Sequence, residues 1–192
     1  MSKSEIRKRI LAQRDALDSA VRRDLSSRIT PRLLALPAYR DARCVMAYVA
    51  FGAEFDTAAF IGDLLARGKR LVLPRIERES RTLKLHSVSD LDAELAPGVW
   101  GIREPRPDVC PPVTLSEVHF VLVPGLAFTA RCERLGYGGG YYDHLIRQFA
   151  GGPALAAAAF ALQVVPELPM TPTDEKVDLV VTEDAQYHRS PA

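Results

Sequence analysis

The chain has 192 residues, 47% of them hydrophobic and 26% charged, which is enough to fill a sizeable core and suits one domain over 1–192. Lys and Arg number 25 against 24 Asp and Glu, a net charge of +1, so no broad electrostatic argument points to nucleic acid or a membrane surface. The three cysteines, Cys44, Cys110 and Cys132, are odd in number and widely spaced. They suit neither a disulfide framework nor a paired zinc site, and a reducing cytoplasm is the expected compartment.

The N-terminus MSKSEIRKRI is basic, but no apolar signal core follows it, and no apolar run approaches a membrane span. Ser2 and Glu5 form the pattern of a capping box. Ile6, Ile10, Leu17, Val21, Leu25 and Ile29 then recur as a helical stripe, with a second cap at Asp18 or Ser19 that would divide it into two helices. The many arginines of RKRILAQRDALDSAVRRD, mixed with acids, read as a solvated face. Lys3 and Arg7 are four apart and share a face near the helix start, where cations work against the helix dipole. A bound anion would give that placement a purpose.

CVMAYVAF (44–51) is a continuous apolar run, the pattern of a strand buried on both faces. After the loop GAEFDT, the stretch TAAFIGDLLARG reads as a helix ending at Gly68. RLVLPRI (70–76) is the next strand, and the alternating TLKLHSV (82–88) suits a sheet edge. APGVWGIREPRPDVCPP (96–112), rich in Pro and Gly, is expected to be a loop. VHFVLVP (118–124) is another buried strand. ALAAAAFAL (154–162) suits a strand or a buried helix, and VDLVVTE (177–183) a strand. Strand and helix alternate, which predicts an α/β three-layer sandwich around a largely parallel sheet, Rossmann-like. Ligands of such sheets sit beyond the carboxyl ends of the strands, so VAFGAEFD, VPGLAFTA and the end of LPMTPTDEK are expected at one rim.

RLGYGGGYYDHLI, residues 134–146, carries the chemistry. It matches neither GxxxxGK[ST] nor GxGxxG. Its glycines still allow successive N–H groups to face one concavity at a helix start, a setting for an anion, with Arg134 as a bidentate partner. A plain turn is the competing reading. Asp143 suits either a helix-start acid or a Mg2+ ligand. Tyr137, Tyr141 and Tyr142 suit a core or a stack on a planar ring. His86, His119, His144 and His188 have no metal-ligand spacing.

VLVPGLAFTARCERLGYGGGYYDHLI resembles the signature of the 5-formyltetrahydrofolate cyclo-ligase (methenyltetrahydrofolate synthetase) family. Further segments agree in the family's order: Lys3 to Arg7, YVAFGAEFDT, LVLPRI, GVWGIREP, Gln163 and TDEKVDLVVTE. The departures are Thr129, Cys132 and His144, where the family pattern has Asp, Gly and Arg.

The resemblance implies conversion of 5-formyltetrahydrofolate and ATP to 5,10-methenyltetrahydrofolate, ADP and phosphate, with Mg2+. Phosphorylation of the formyl oxygen turns a poor electrophile into one that N10 of the folate can attack, and phosphate departs as the ring closes. Such chemistry asks mainly for positioning and charge neutralisation. By the same resemblance, Lys3, Arg7 and the loop Arg134, Leu135, Gly136, Tyr137, Gly138, Gly139, Gly140, Tyr141 and Tyr142 hold ATP. Asp143 and Asp174 hold Mg2+. Val49, Glu54, Trp100, Tyr137, Gly138, Gly139, Gly140 and Tyr141 meet the reduced folate. Arg134, Tyr141 and Glu54 are the expected catalytic residues, and Arg75 and Arg103 are further cations for phosphate or the glutamyl tail. The expected partner is a small-molecule folate, with no nucleic acid, no membrane and a monomeric state. The competing readings are a non-catalytic folate- or nucleotide-binding protein on the same scaffold and a sugar-phosphate isomerase or other phosphate-binding α/β enzyme. The isomerase reading leaves Lys3, Arg7 and the paired aspartates without a task.

Overall fold

The computed structural model describes residues 1–149 and 151–190, with the backbone alone at Trp100. The expected role of Trp100 as a folate contact lies outside the described residues.

Helix α1 (Lys3–Asp15) opens with the capping box: Ser2 Oγ accepts from the Glu5 N–H at 3.3 Å, and Glu5 Oε2 accepts from the Ser2 N–H at 2.7 Å. The chain breaks at residues 16–18, and Asp18 caps α2 (Ser19–Leu34) by accepting from the Ala20 N–H at 2.7 Å. The stripe is thus two helices. Val21, expected on the buried side, is exposed, because the break resets the phase of α2 and its inner face becomes Ser26, Ile29, Thr30 and Leu33. A short α3 (Pro37–Asp41) leads into β1 (Cys44–Met46). The strand is shorter than the apolar run that announced it. Ala47 still donates to Val72 O at 3.0 Å, and from Tyr48 the chain leaves the sheet to line a cavity.

Next come α4 (Ala58–Ala66), β2 (Arg70–Glu77), β3 (Thr82–Val88) and a single turn, α5 (Leu91–Glu94). The Pro/Gly stretch is not wholly a loop. It holds an antiparallel ribbon of β4 (Leu95–Pro97) and β5 (Arg103–Pro105). Gly98 allows that ribbon to close, because a Cβ there would sit 2.4 Å from the Glu104 carboxylate. Then follow β6 (Phe120–Leu122), a second ribbon of β7 (Ala127–Phe128) and β8 (Arg134–Leu135), α6 (Tyr141–Gln148), β9 (Ala154–Ala158), β10 (Leu179–Val181) and β11 (Gln186–His188). The Ala-rich segment is therefore a strand.

The main sheet has seven strands in the order β11-β10-β9-β6-β1-β2-β3. The five inner strands are parallel, and the two edges, β3 and β11, run antiparallel to their neighbours. Alternate residues feed two cores. Val45, Leu71, Phe120 and Leu122 face Ile29, Leu33, Tyr39, Phe60 and Leu64 of α2, α3 and α4. Met46, Val72, Val121 and Val180 face Leu145 and Ile146 of α6. The result is the expected helix–sheet–helix sandwich. Among the described residues no helix is long and apolar enough to cross a membrane.

Candidate active site

The strand order reverses between β1 and β6, since the chain goes from β1 outward to β2 on one side and later to β6 on the other. Loops leaving the carboxyl ends at such a point diverge and open a crevice. The loop after β1 is closed on itself. Thr57 Oγ1 accepts from the Ala50 N–H at 3.1 Å, and Glu54 Oε2 accepts from the Phe51 N–H at 2.9 Å. The loop after β6 is held by buried Gln163, whose Nε2 donates to Gly125 O at 3.2 Å and to Leu126 O at 3.0 Å.

The glycine loop is carried by the β7–β8 ribbon. Helix α1 packs on that ribbon through Ile6 and Ile10 against Ala127 and Leu135, which delivers Lys3 and Arg7 to the loop. Arg7 Nε donates to Gly136 O at 2.8 Å. Two backbone positions need glycine: Gly138 has φ +109° and Gly140, the N-cap of α6, has φ +72°.

The loop stands between two cavities. One, of about 440 Å³, is mainly apolar and is lined by Tyr48, Val49, Glu54, Pro74, Arg103, Tyr137, Tyr141 and Tyr142 among others. The other, of about 260 Å³, is polar and is lined by Lys3, Arg7, Gly138, His144, Arg147, Thr173 and Asp174. Gly136, Gly140 and Asp143 belong to both walls. Each of the three expected rim loops reaches one of these cavities.

Two of the cations named from sequence, Arg134 and Lys3, are already paired with two of the named acids, Asp143 and Asp174. Arg134 Nη2 donates to Asp143 Oδ1 at 2.6 Å and its Nη1 to Pro124 O at 3.2 Å, with the side chain only 2% exposed. Asp143 Oδ1 also accepts from the Glu175 N–H at 3.1 Å. Lys3 Nζ lies 2.5 Å from Asp174 Oδ2. Burial pushes the Asp174 carboxyl up, but Lys3 and the Thr171 donors outweigh it and hold the group below the usual carboxylate range. Among the described residues no group of three or more His, Cys, Asp and Glu is placed to hold a metal. The donor set still fits Mg2+, which takes one or two carboxylates and completes its shell with water and phosphate oxygens. Asp143 and Asp174 supply two carboxylates to one polar cavity.

Glu54 Oε1 accepts a hydrogen bond from the Tyr137 hydroxyl, which itself accepts from Arg14 Nη2 at 2.9 Å. Burial raises the Glu54 carboxyl, and the Tyr137, Phe51 and Arg14 donors and charge counter it only in part. Among the described residues the Tyr142 hydroxyl is buried without a partner, and burial pushes its pKa strongly up.

Residues the sequence did not single out belong here. Arg14, read as part of a solvated face, is buried at 3% exposure because it follows Ile6 and Ile10 on one helical face. Arg147 joins the polar wall while donating to Thr173 O at 2.8 Å; its i,i+3 spacing from His144 on the same helix was the available signal. Arg134 borders the apolar cavity, and so do Tyr141 and Tyr142. Arg103 lines that cavity too, whereas Arg75 contacts Glu77 at 3.5 Å.

The departures from the family pattern are accommodated. Thr129 Oγ1 accepts from the Arg131 and Glu133 N–H groups at 3.2 and 3.3 Å, the turn-closing contacts that an aspartate makes. Cys132 takes φ +60°, a conformation that favours glycine, and buries its thiol 3.1 Å from Tyr187 O. The thiol is fully buried and burial raises it, which disfavours the reactive thiolate. His144 is exposed on the polar wall.

The sequence model of the 5-formyltetrahydrofolate cyclo-ligase family matches residues 1–183. The chain is 31% identical over 183 residues to the 5-formyltetrahydrofolate cyclo-ligase of Mycolicibacterium smegmatis, covering 94% of this chain and 93% of that one. The enzyme of the same name from Escherichia coli K12 is 29% identical over 174 residues, covering 90% and 96%. The solution structure of Aquifex aeolicus 5,10-methenyltetrahydrofolate synthetase superposes with a TM-score of 0.86 at 33% identity, covering 100% of this chain and 95% of the other. The Mycoplasma pneumoniae protein, at 22% identity and a TM-score of 0.78 over 95% and 99% of the chains, shares the fold. With the match running through the strands, the glycine loop and both cavities, the chain belongs to the 5-formyltetrahydrofolate cyclo-ligase family.

Proposed function

We propose that the chain, acting as one domain, closes 5-formyltetrahydrofolate to 5,10-methenyltetrahydrofolate at the expense of ATP, releasing ADP and phosphate. The observation that carries this reading is the glycine loop as a shared wall between an apolar and a cationic cavity. A planar pterin suits the first chamber and a polyphosphate the second, and phosphoryl transfer needs the two reactants to meet at one boundary.

In this reading Lys3 and Arg7 neutralise the phosphates from α1, and N–H groups of Gly138, Gly139 and Gly140 surround the transferring group. Asp143 and Asp174 hold Mg2+, which supplies charge neutralisation for the phosphate oxygens. Nucleotide arrival would exchange partners: Lys3 leaves Asp174 for phosphate, and Arg134 shares its charge between Asp143 and the group crossing the loop. In the apolar chamber Val49 and the tyrosines cover the pterin faces, and the Glu54 carboxylate accepts N–H bonds from the reduced ring. The Tyr142 hydroxyl, buried and unpaired among the described residues, is a polar group that a ligand in this chamber would satisfy. Desolvation of the chamber strengthens each of these contacts and keeps water from the activated formyl carbon.

The test is direct. Purified protein with 5-formyltetrahydrofolate gains methenyltetrahydrofolate absorbance only when ATP and Mg2+ are both present. Folate binding with no ATP-dependent product would leave a binding protein instead, and no binding of either substrate would remove the folate reading.

A further inference from the structure

Arg14 is 3% exposed, yet among the described residues no carboxylate contacts it directly. A buried guanidinium without compensation is costly. Its bonded partner is the Tyr137 hydroxyl, at 2.9 Å from Nη2, and the guanidinium carbon lies 5.7 Å from the centre of the same ring. That hydroxyl contacts Glu54 Oε1 on its other side. The chain of contacts spans α1, the glycine loop and the loop after β1.

With Glu54 ionised, the direction of the protons along this chain is fixed. Arginine only donates, so the Tyr137 oxygen must accept from Arg14. The phenol hydrogen is then left for Glu54, whose Oε1 must accept. Its Oε2 accepts from the Phe51 N–H at 2.9 Å. We propose that Arg14 is a positioning residue for the folate chamber: it sets the direction of the Tyr137 hydroxyl, and through it fixes Glu54 as a hydrogen-bond acceptor beside the glycine loop. Arg14 lines neither cavity, so it acts through Tyr137 and not on substrate.

The ionisable groups facing Glu54 are Arg14 from α1, Tyr137 from the glycine loop, Tyr48 from the segment after β1 and Tyr142 from α6. Arg14 is the only cation of the four. Removing it leaves three phenols facing the carboxylate, with Arg103 and Arg134 elsewhere on the cavity wall, an environment that favours the neutral acid. A protonated Glu54 would turn one accepting oxygen into a donor and lose a contact with the pterin N–H groups. This consequence rests on the folate reading; the hydrogen-bond polarity does not.

The experiment compares wild type, Arg14→Met, Arg14→Lys and Tyr137→Phe in the full chain. Carboxyl resonances of 13C-labelled glutamate give the Glu54 midpoint, assigned with Glu54→Gln. Arg14→Met should raise that midpoint by about one pH unit. The acid limb of kcat/KM for folate should move with it, with folate KM up about tenfold and ATP KM within about twofold. Arg14→Lys, which can still donate to the phenol oxygen, should recover most of both. Tyr137→Phe should shift the midpoint the same way and add little to Arg14→Met in the double variant. If Arg14→Met does not fold, Tyr137→Phe alone decides. An unchanged midpoint in a folded variant overturns the proposal, as does a loss of thermal stability that Arg14→Lys fails to relieve while the pH profile stays put. A shifted midpoint in a protein that makes no ATP-dependent product supports the relay and overturns the cyclo-ligase reading alone.

Discussion

Lys3 and Asp174 lie 171 residues apart in the chain, yet their side chains meet at 2.5 Å on the wall of the polar cavity. The contact ties the first turn of α1 to the segment before β10. It pairs a cation with a candidate metal ligand. Replacing Lys3 by Met should raise the apparent KM for ATP by about tenfold and leave the folate KM near wild type. Steady-state kinetics with each substrate varied in turn checks this. An unchanged ATP KM would place Lys3 outside the nucleotide site.

The Arg134–Asp143 pair should behave differently, because Arg134 is almost fully buried. Removing one partner of a buried pair leaves the other unpaired, at a typical cost of about 3 kcal/mol. Arg134→Ala is therefore expected to lose stability as well as activity, and urea unfolding measures the first. Arg134→Lys keeps the charge but not the fork that reaches both Asp143 and Pro124 O. It should keep more of the stability than the activity. Equal losses of both in Arg134→Lys would make the pair a structural strut only.

Tyr142 offers a test with opposite signs. Among the described residues its hydroxyl is buried without a partner, so Tyr142→Phe should stabilise the ligand-free protein by about 1 kcal/mol. The same change should weaken folate binding several-fold, because a ligand loses its donor. Thermal unfolding and isothermal titration with folate give the two numbers. Lower stability with intact binding would show that the hydroxyl serves the fold.

Much of this was legible because the patterns were local. The capping box at Ser2 and Glu5, the edge strand Thr82–Val88 and the helix that starts at Gly140 each follow from a few adjacent residues. Arg14 was missed for a physical reason. A basic residue among other basic residues reads as solvated, and only the packing of α1 on the β7–β8 ribbon buries it. The short β1 and the β4–β5 ribbon were also hidden. An apolar run does not say where the chain leaves the sheet for a cavity, and the ribbon depends on Gly98 admitting the Glu104 side chain. The division of the site into two chambers required the fold as well, since residues adjacent in the loop, such as Tyr137 and Gly138, face different cavities.

Glu117 predicts a pH dependence away from the site. It accepts from the Thr114 N–H at 2.8 Å, from Thr114 Oγ1 at 2.7 Å and from Arg70 Nη1 at 2.6 Å. These contacts hold its carboxyl at about 2, against 4.5 for the ordinary group. A depressed folded value means stability that is fully present above the unfolded value and is lost as pH falls towards the folded one. The stability gap between wild type and Glu117→Gln should thus be constant from pH 7 to about 5 and narrow below it. Denaturant titrations at stepped pH check this. A gap that widens on acidification would reverse the sign.

In the proposed reaction a phosphoryl group crosses the glycine loop onto the formyl oxygen of the folate. The most direct measurement uses 5-formyltetrahydrofolate labelled with 18O in the formyl group and follows the label by mass spectrometry of the products. Released phosphate should carry one labelled oxygen per methenyltetrahydrofolate formed, only with ATP and Mg2+ present. Label appearing in water, or product forming without ATP, would contradict it.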